Sequence, residues 1–292
     1  MIHEKEEPQS TQRSQRKILS AAFASSAVKF VVAFLALATT LWLAPGIDAQ
    51  RGGRGGAPQG SPPTAKAAAP IDISGYWVSL VTDDWRWRMM TPPKGDYLYL
   101  PLNPAARQAA DSWDPSKDEA AGEQCKGYSA PSLMHLPGRL HITWQDEATL
   151  RVEADAGTQT RVFHFGGTIG PDPKSGSDPA NASWQGYSVA QWENDGARGR
   201  GRAATAPPKH GSLKVVTTRL RPGYFRKNGI PYSANAVLTE YFTTLTDTGT
   251  DYLVVTNFLD DPQYLAQPYI RSVQFKRQPD AKGWNPTACS AR

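Results

Sequence analysis

LHITWQDEATLRVEA, residues 140–154, decides the fold class. Leu140, Ile142 and Trp144 alternate with His141, Thr143 and Gln145; after Asp146-Glu147-Ala148, Leu150, Val152 and Ala154 alternate with Arg151 and Glu153. A period of two belongs to a strand, and a short polar break between two such runs is a hairpin. A three-residue loop sets Trp144 opposite Leu150, Ile142 opposite Val152 and His141 opposite Glu153, which makes one face apolar and the other polar. Past a turn at 155–158, residues 159–165 fit two registers. One pairs Leu150 with Phe163; the other pairs Glu153 with Arg161 and Val152 with Val162.

Similar runs, rich in Trp, Tyr, Val and Thr and bounded by Gly, Pro, Asn and Asp, lie at 73–81, 184–192, 212–219, 236–245, 251–259 and 269–277. Helical periodicity is scarce. In NPAARQAADSW, residues 103–113, Asn103 suits a cap and Pro104 the first helical position, and a second helical turn covers 115–124. Both are read as a lid over one end of the strands. The expected fold is all-β: an antiparallel barrel of about 8–10 strands with one or two short helices inserted after the first strand.

The first strand is read as continuing, after a bend at Asp83-Asp84, through WRWRMM, residues 85–90. Extended backbone would put Trp85, Trp87 and Met89 on one face and Arg86, Arg88 and Met90 on the other. Such a strand has either a buried aromatic side and a solvated basic side, or a ligand at the mouth of the barrel. The second stretch of this kind is LRPGYFRKNGIPY, residues 220–232, where Arg221, Arg226 and Lys227 interleave with Tyr224, Phe225 and Tyr232. Joined, Trp85, Arg86, Trp87, Arg88, Tyr224 and Arg226 form a basic aromatic rim that would grip a small amphipathic or aromatic molecule.

The N-terminal part is of another kind. Arg13, Arg16, Lys17 and Lys29 precede FVVAFLALATTLWLA, residues 30–44, and Ile47-Asp48-Ala49 offers a cleavage site. Residues 1–49 therefore read as a secretory signal, with an uncleaved inner-membrane anchor as the alternative and the only expected membrane contact. Residues 50–70, rich in Gly, Pro and Ala, read as a flexible tether, and 71–292 as one barrel domain. The two cysteines, Cys125 and Cys289, both follow the signal and are expected to form a disulfide in an oxidising compartment. The expected location is periplasmic or secreted. Net charge is +5 for the whole chain and +4 without residues 1–49, too small a balance for a polyanionic partner, so no nucleic acid is expected. The basic loop at 193–211, with Arg198, Arg200, Arg202 and Lys209, reads as a solvated insertion. Oligomeric state leaves no mark on the sequence.

Catalytic candidates are sparse. His135, His141, His164 and His210 show no metal-binding spacing, and neither a metal nor a cofactor is expected. Asp83, Asp84 and Glu240, with His141 oriented by Glu153, are the groups an acid–base hydrolase, lyase or isomerase would use if they converged. An envelope interaction protein is the third class, marked by an exposed apolar patch.

Two resemblances bear on this choice. Gly75-Tyr76-Trp77, Thr250-Asp251-Tyr252 and Arg277 follow one another as the Gly-x-Trp, Thr-Asp-Tyr and basic motifs of lipocalins do, although this chain is far longer. That resemblance implies a calycin-type barrel that holds a small molecule. Gly186-Tyr187-Ser188-Val189 with Trp192-Glu193, Leu213 to Thr217, Leu238-Thr239-Glu240-Tyr241-Phe242 and Asp261-Pro262 with Tyr264 and Pro268 are similar to exported bacterial all-β proteins. The second resemblance implies export and supplies no catalytic residue.

Overall fold

The computed structural model describes residues 62–82, 84–167, 182–194 and 210–292. The residues read as a signal or anchor, those read as a tether as far as residue 61, Asp83 and residues 195–209 of the basic loop lie outside the described residues. The strands are β1 (Gly75–Leu80), β2 (Arg139–Asp146), β3 (Thr149–Ala154), β4 (Gln159–Phe165), β5 (Tyr187–Asn194), β6 (Gly211–Thr218), β7 (Gly223–Arg226), β8 (Ile230–Tyr232), β9 (Val237–Asp247), β10 (Thr250–Asp260) and β11 (Tyr269–Gln278). Nine of them close a barrel in the order β1-β11-β10-β9-β6-β5-β4-β3-β2, and β7 and β8 form a separate hairpin.

The expected all-β barrel is present, with one correction to its strand directions. Directions cannot alternate all the way round a ring with an odd number of strands, so at least one neighbouring pair must be parallel. That pair is β4 and β5, which run side by side through Phe163↔Ser188, His164↔Val189 and Phe165↔Ala190. The hairpin of residues 140–154 has the expected register, with Trp144↔Leu150, Ile142↔Val152 and His141↔Glu153, and a bulge before Asp146. Of the two registers open for β4, the chain adopts Leu150↔Phe163, which sets Val152 opposite Arg161. Arg161 thereby points into the barrel.

The interior is filled by side chains. Trp77, Ile142, Leu150, Val152, Phe163, Leu213, Val215, Phe242, Leu253 and Val255 have essentially no exposed surface. Near the end where β1, β3, β6 and β10 finish, the lining turns polar: Arg161 donates to both Glu240 carboxylate oxygens, through Nη1 at 2.9 Å, and to Thr217 Oγ1 at 3.1 Å. Ser188 continues this layer, its hydroxyl 2.8 Å from that of Thr217. Cross-strand pairing also sets Glu240 beside Asn257 and Asn257 beside Arg271.

A cap sits over this polar end. It contains α1 (Trp85–Arg88), α2 (Pro104–Asp111), α3 (Pro115–Ala120), α4 (Ala130–Leu133) and the β7–β8 hairpin. In α2 the Asn103 carboxamide accepts from the Ala106 amide at 3.0 Å, and Pro104 occupies the first turn, as its sequence implies. Leu100, Leu102, Ala106, Ala110, Leu220, Phe225, Ile230 and Tyr232 make a second apolar core, separate from that of the barrel. The chain's last residues join the same cap. The disulfide Cys125–Cys289 fixes them there, and Thr287 N donates to Asp155 O at 2.9 Å.

The opposite end is closed differently. Arg277 stacks its guanidinium 4.2 Å from the centre of the Trp77 ring and donates to Ser74 O, Asp72 O and the Asp251 carboxylate. The three short stretches that carry the lipocalin resemblance thus meet at one place. Residues 62–70, expected to be the end of a free tether, are bound here: Lys66 N donates to Glu147 O at 3.1 Å and Trp192 Nε1 to Ala65 O at 2.7 Å. Among the described residues no helix is long and apolar enough to cross a membrane.

Candidate ligand-binding site

A cavity of about 220 Å³ lies between the polar end of the barrel and the cap. Its position follows from the termini of β1, β2 and β11 and from what the intervening loops bring over them. Residues 84–91 come from the loop after β1, His135 to Pro137 from the approach to β2, Phe225 to Lys227 from the β7–β8 hairpin and Tyr269 from the start of β11.

WRWRMM does not continue the first strand. β1 ends at Leu80, Asp84 adopts a left-handed conformation at φ 57°, and residues 85–88 make one turn of α1. The alternation of Trp and Arg that suggests a strand also suits a single helical turn, where i and i+3 share a side. Tertiary contacts decide between the two: Arg88 donates from Nε to His135 O at 2.9 Å and from Nη1 to Leu80 O at 2.8 Å. These bonds turn the segment inward at its end.

Trp87 and Arg88 consequently line the cavity, while Trp85 is 64% exposed and Arg86 lies outside, bonded to the Asp96 carboxylate at 3.2 Å. Trp87 Nε1 donates to the same carboxylate. A register shift between Tyr224 and Arg226 in the β7–β8 hairpin separates those two residues. Phe225 and Arg226 face the cavity. Tyr224 faces away and donates to Asp118 Oδ2 at 2.9 Å, so of the six proposed rim residues three line the space: Trp87, Arg88 and Arg226.

Arg226 is half-buried, its guanidinium 5.5 Å from the centre of the Trp87 ring, with Tyr269 beside it in the cavity wall. Its Nη1 is buried with no hydrogen-bond partner among the described residues. Burial pulls its pKa below the usual arginine range, opposed by Tyr269, Asp96 and Asp84. Asp84, also in the wall, is paired with Arg271. Lys227 donates to Tyr128 Oη at 3.2 Å and to Arg292 O at 2.6 Å.

His135 borders the cavity from below and carries no charge near neutrality. Burial, then the positive charges of Arg88, Arg226 and Arg271, push its pKa from 6.5 down to about 3. Its Nε2 lies 3.4 Å from Asn257 Nδ2, and its ring centre 6.3 Å from that of Tyr269. Neither His135 nor Tyr269 is singled out by sequence reasoning. Tyr269 follows Pro268 and starts a strand whose inner face reads Tyr269, Arg271, Val273, Phe275, and a charged residue in that row is the one available signal.

Among the described residues the acid–base candidates do not converge. Glu240 is completely buried in the barrel with Arg161. His141 lies on the outer face of β2, stacked 4.1 Å from the Tyr76 ring and 3.2 Å from Glu153 Oε2, with Trp284 edge-on to its ring. Asp84 alone borders the cavity, and Asp83 lies outside the described residues. No group of three or more His, Cys, Asp or Glu suited to a metal occurs among the described residues. Comparison with protein-family models, with curated proteins and with solved structures finds no match.

Proposed function

We propose that this chain is an exported, lipocalin-like binding protein that holds a small amphipathic or aromatic molecule between barrel and cap. The observation that carries this reading is the composition of the cavity wall, which combines the rings of Trp87, Phe225 and Tyr269 with the guanidinium of Arg226. Rings supply an apolar contact and a guanidinium a directional one, which is how small-molecule sites divide affinity from orientation. Because the barrel interior is packed, the ligand space lies above the lumen rather than within it. The signal-like N-terminus and the Cys125–Cys289 bridge support export to the periplasm or beyond. The enzyme alternative has no shared cleft for Asp84, Glu240 and His141.

An interaction role has one observation in its favour: Trp85, Met89, Met90 and Tyr99 are each more than half exposed near the cavity. Native mass spectrometry of the protein as its source cell makes it, followed by denaturing extraction, separates the two. A binding protein releases a reproducible small molecule on denaturation, and Trp87→Ala abolishes its retention. A mass matching a higher oligomer or a protein complex, with no small molecule released, favours interaction instead.

A further inference from the structure

We propose that the ligand is a small monocarboxylate, its carboxylate paired with Arg226 and its planar or short apolar body lying against Trp87, Phe225 and Tyr269. This inference rests on the binding reading above and names the ligand's class.

The argument begins with charge. Around the cavity, Asp84 is neutralised by Arg271, and the Asp96 carboxylate bonds Arg86 and Trp87. Arg88 donates to the carbonyls of His135 and Leu80, and Lys227 to Arg292 O. Arg226 differs. A ring and a phenol lie against it, Asp84 and Asp96 act on it only from beyond ion-pair distance and are bonded to other groups, and Nη1 is buried without a partner among the described residues. A guanidinium withdrawn from water without an anion is unfavourable, and a ligand carboxylate would remove that cost.

The class of anion follows from the same inventory. His135, kept neutral by its surroundings, adds no positive charge, and Arg88 and Lys227, which also line the cavity, are bonded to oxygens of the protein, so the site offers one open guanidinium, rather than a cluster, to an anion. The planar fork of arginine matches the two oxygens of a carboxylate. Size narrows the choice further: about 220 Å³ is below the roughly 300–1,000 Å³ of pockets that take drug-sized molecules. An acid with one ring or a short chain fits this space.

The test uses calorimetric titration of the full chain with three probes of equal size, phenylacetate, phenylacetamide and phenethylamine. The acid is expected to bind about tenfold or more tightly than the amide, the advantage of a charge-assisted bond over a neutral one, with no binding of the amine. Arg226→Gln erases the preference for acid over amide, and Arg226→Lys, which keeps the charge but loses the fork, weakens it. If Arg226→Gln does not fold, as judged by near-ultraviolet circular dichroism, the acid–amide ratio of the unaltered chain and Arg226→Lys carry the test. Equal or tighter binding of the amide overturns the carboxylate assignment and leaves the binding reading standing. An acid preference that survives Arg226→Gln overturns the role of Arg226. If no probe binds at millimolar concentration and the native mass shows no small molecule, both readings fall.

Discussion

Arg161 is fully buried inside the barrel and Arg226 half-buried beneath the cap, and the two differ in what answers their charge. Arg161 has no exposed side-chain surface and faces Glu240, equally buried, with Thr217 and Ser188 extending the network. Arg226 has a tryptophan ring, a phenol and a cavity of about 220 Å³ beside it. A buried guanidinium matched by a carboxylate is a closed structural unit, because its charge is answered within the fold. One that borders a cavity with an unanswered Nη1 is open to a partner from outside. The contrast separates a scaffold from a site without any catalytic motif.

The largest expected effect comes from breaking the closed pair. Glu240→Gln leaves the Arg161 charge buried without its anion and is expected to cost about 3–5 kcal/mol of unfolding free energy. The double substitution Arg161→Met with Glu240→Leu removes both charges, and most of that loss is expected to return. Urea denaturation of the three proteins reads this directly. If the double variant is no more stable than Glu240→Gln, the network contributes more than mutual neutralisation and the contrast with Arg226 weakens.

Next in size is the covalent tie that belongs to the cap alone. Cys125 and Cys289 are separated by 164 residues, and their bridge brings the C-terminal residues beside Asp155 and Gly157. Cys289→Ser is expected to lower stability by about 2–4 kcal/mol. Hydrogen exchange should show where: faster exchange in residues 84–91 and 124–134, with the β9–β10 ladder almost unchanged. Uniform loosening of barrel and cap would mean that the two are a single cooperative unit.

The third test uses acid. His135 has its folded pKa lowered to about 3 against an ordinary 6.5, so the unfolded chain takes up a proton that the folded chain refuses. Its contribution is therefore complete above about pH 6.5 and is lost as pH falls towards about 3, with a slope of at most about 1.4 kcal/mol per pH unit. Arg88, Arg226, Arg271, Asn257 and Tyr269 surround the imidazole and oppose its protonation or leave it unsupported. In His135→Gln this part of the pH dependence should vanish, measured as the urea midpoint at pH 7 and pH 5. An unchanged slope would place the acid sensitivity elsewhere.

Much of the scaffold was legible because local patterns and tertiary structure agree there. In residues 140–154 the alternation, loop length and register all point to one hairpin, and in 103–113 Asn103 and Pro104 mark a helix start that the cap retains. The two cysteines could be paired from their number and the expected compartment. The site was less legible, since its residues are assembled by contacts distant in sequence. Trp85 to Arg88 reads as strand or helical turn, and the bonds from Arg88 to Leu80 and His135 settle it. Arg161 could face either way until β4 chose its register, and its partner Glu240 lies 79 residues on. That some neighbouring pair must be parallel follows from ring parity, which needs the exact strand count that sequence periodicity does not supply, and the folded chain shows it to be β4–β5. Gly157, at φ 72°, has the Tyr128 ring so close that an added Cβ would lie 2.3 Å from it, a reason for glycine that only the folded chain reveals.

The smallest expected effect on stability is the most informative about function. Arg226→Met keeps much of the side chain's apolar length against Trp87 and Phe225 but removes the guanidinium whose Nη1 has no partner among the described residues. What it gives up within the protein is the cation–π contact with Trp87; what it relieves is the desolvation of an unanswered charge. These terms oppose one another, so stability in the absence of ligand should change by no more than about 1 kcal/mol, in either direction. Retention of a carboxylate ligand should nevertheless be lost. Glu240→Gln makes the reverse pattern: a large loss of stability, with ligand retention preserved in the fraction that remains folded. A residue whose removal leaves the fold intact and empties the cavity is held there for the ligand, and a drop of several kcal/mol in Arg226→Met would instead assign Arg226 to the scaffold alongside Arg161.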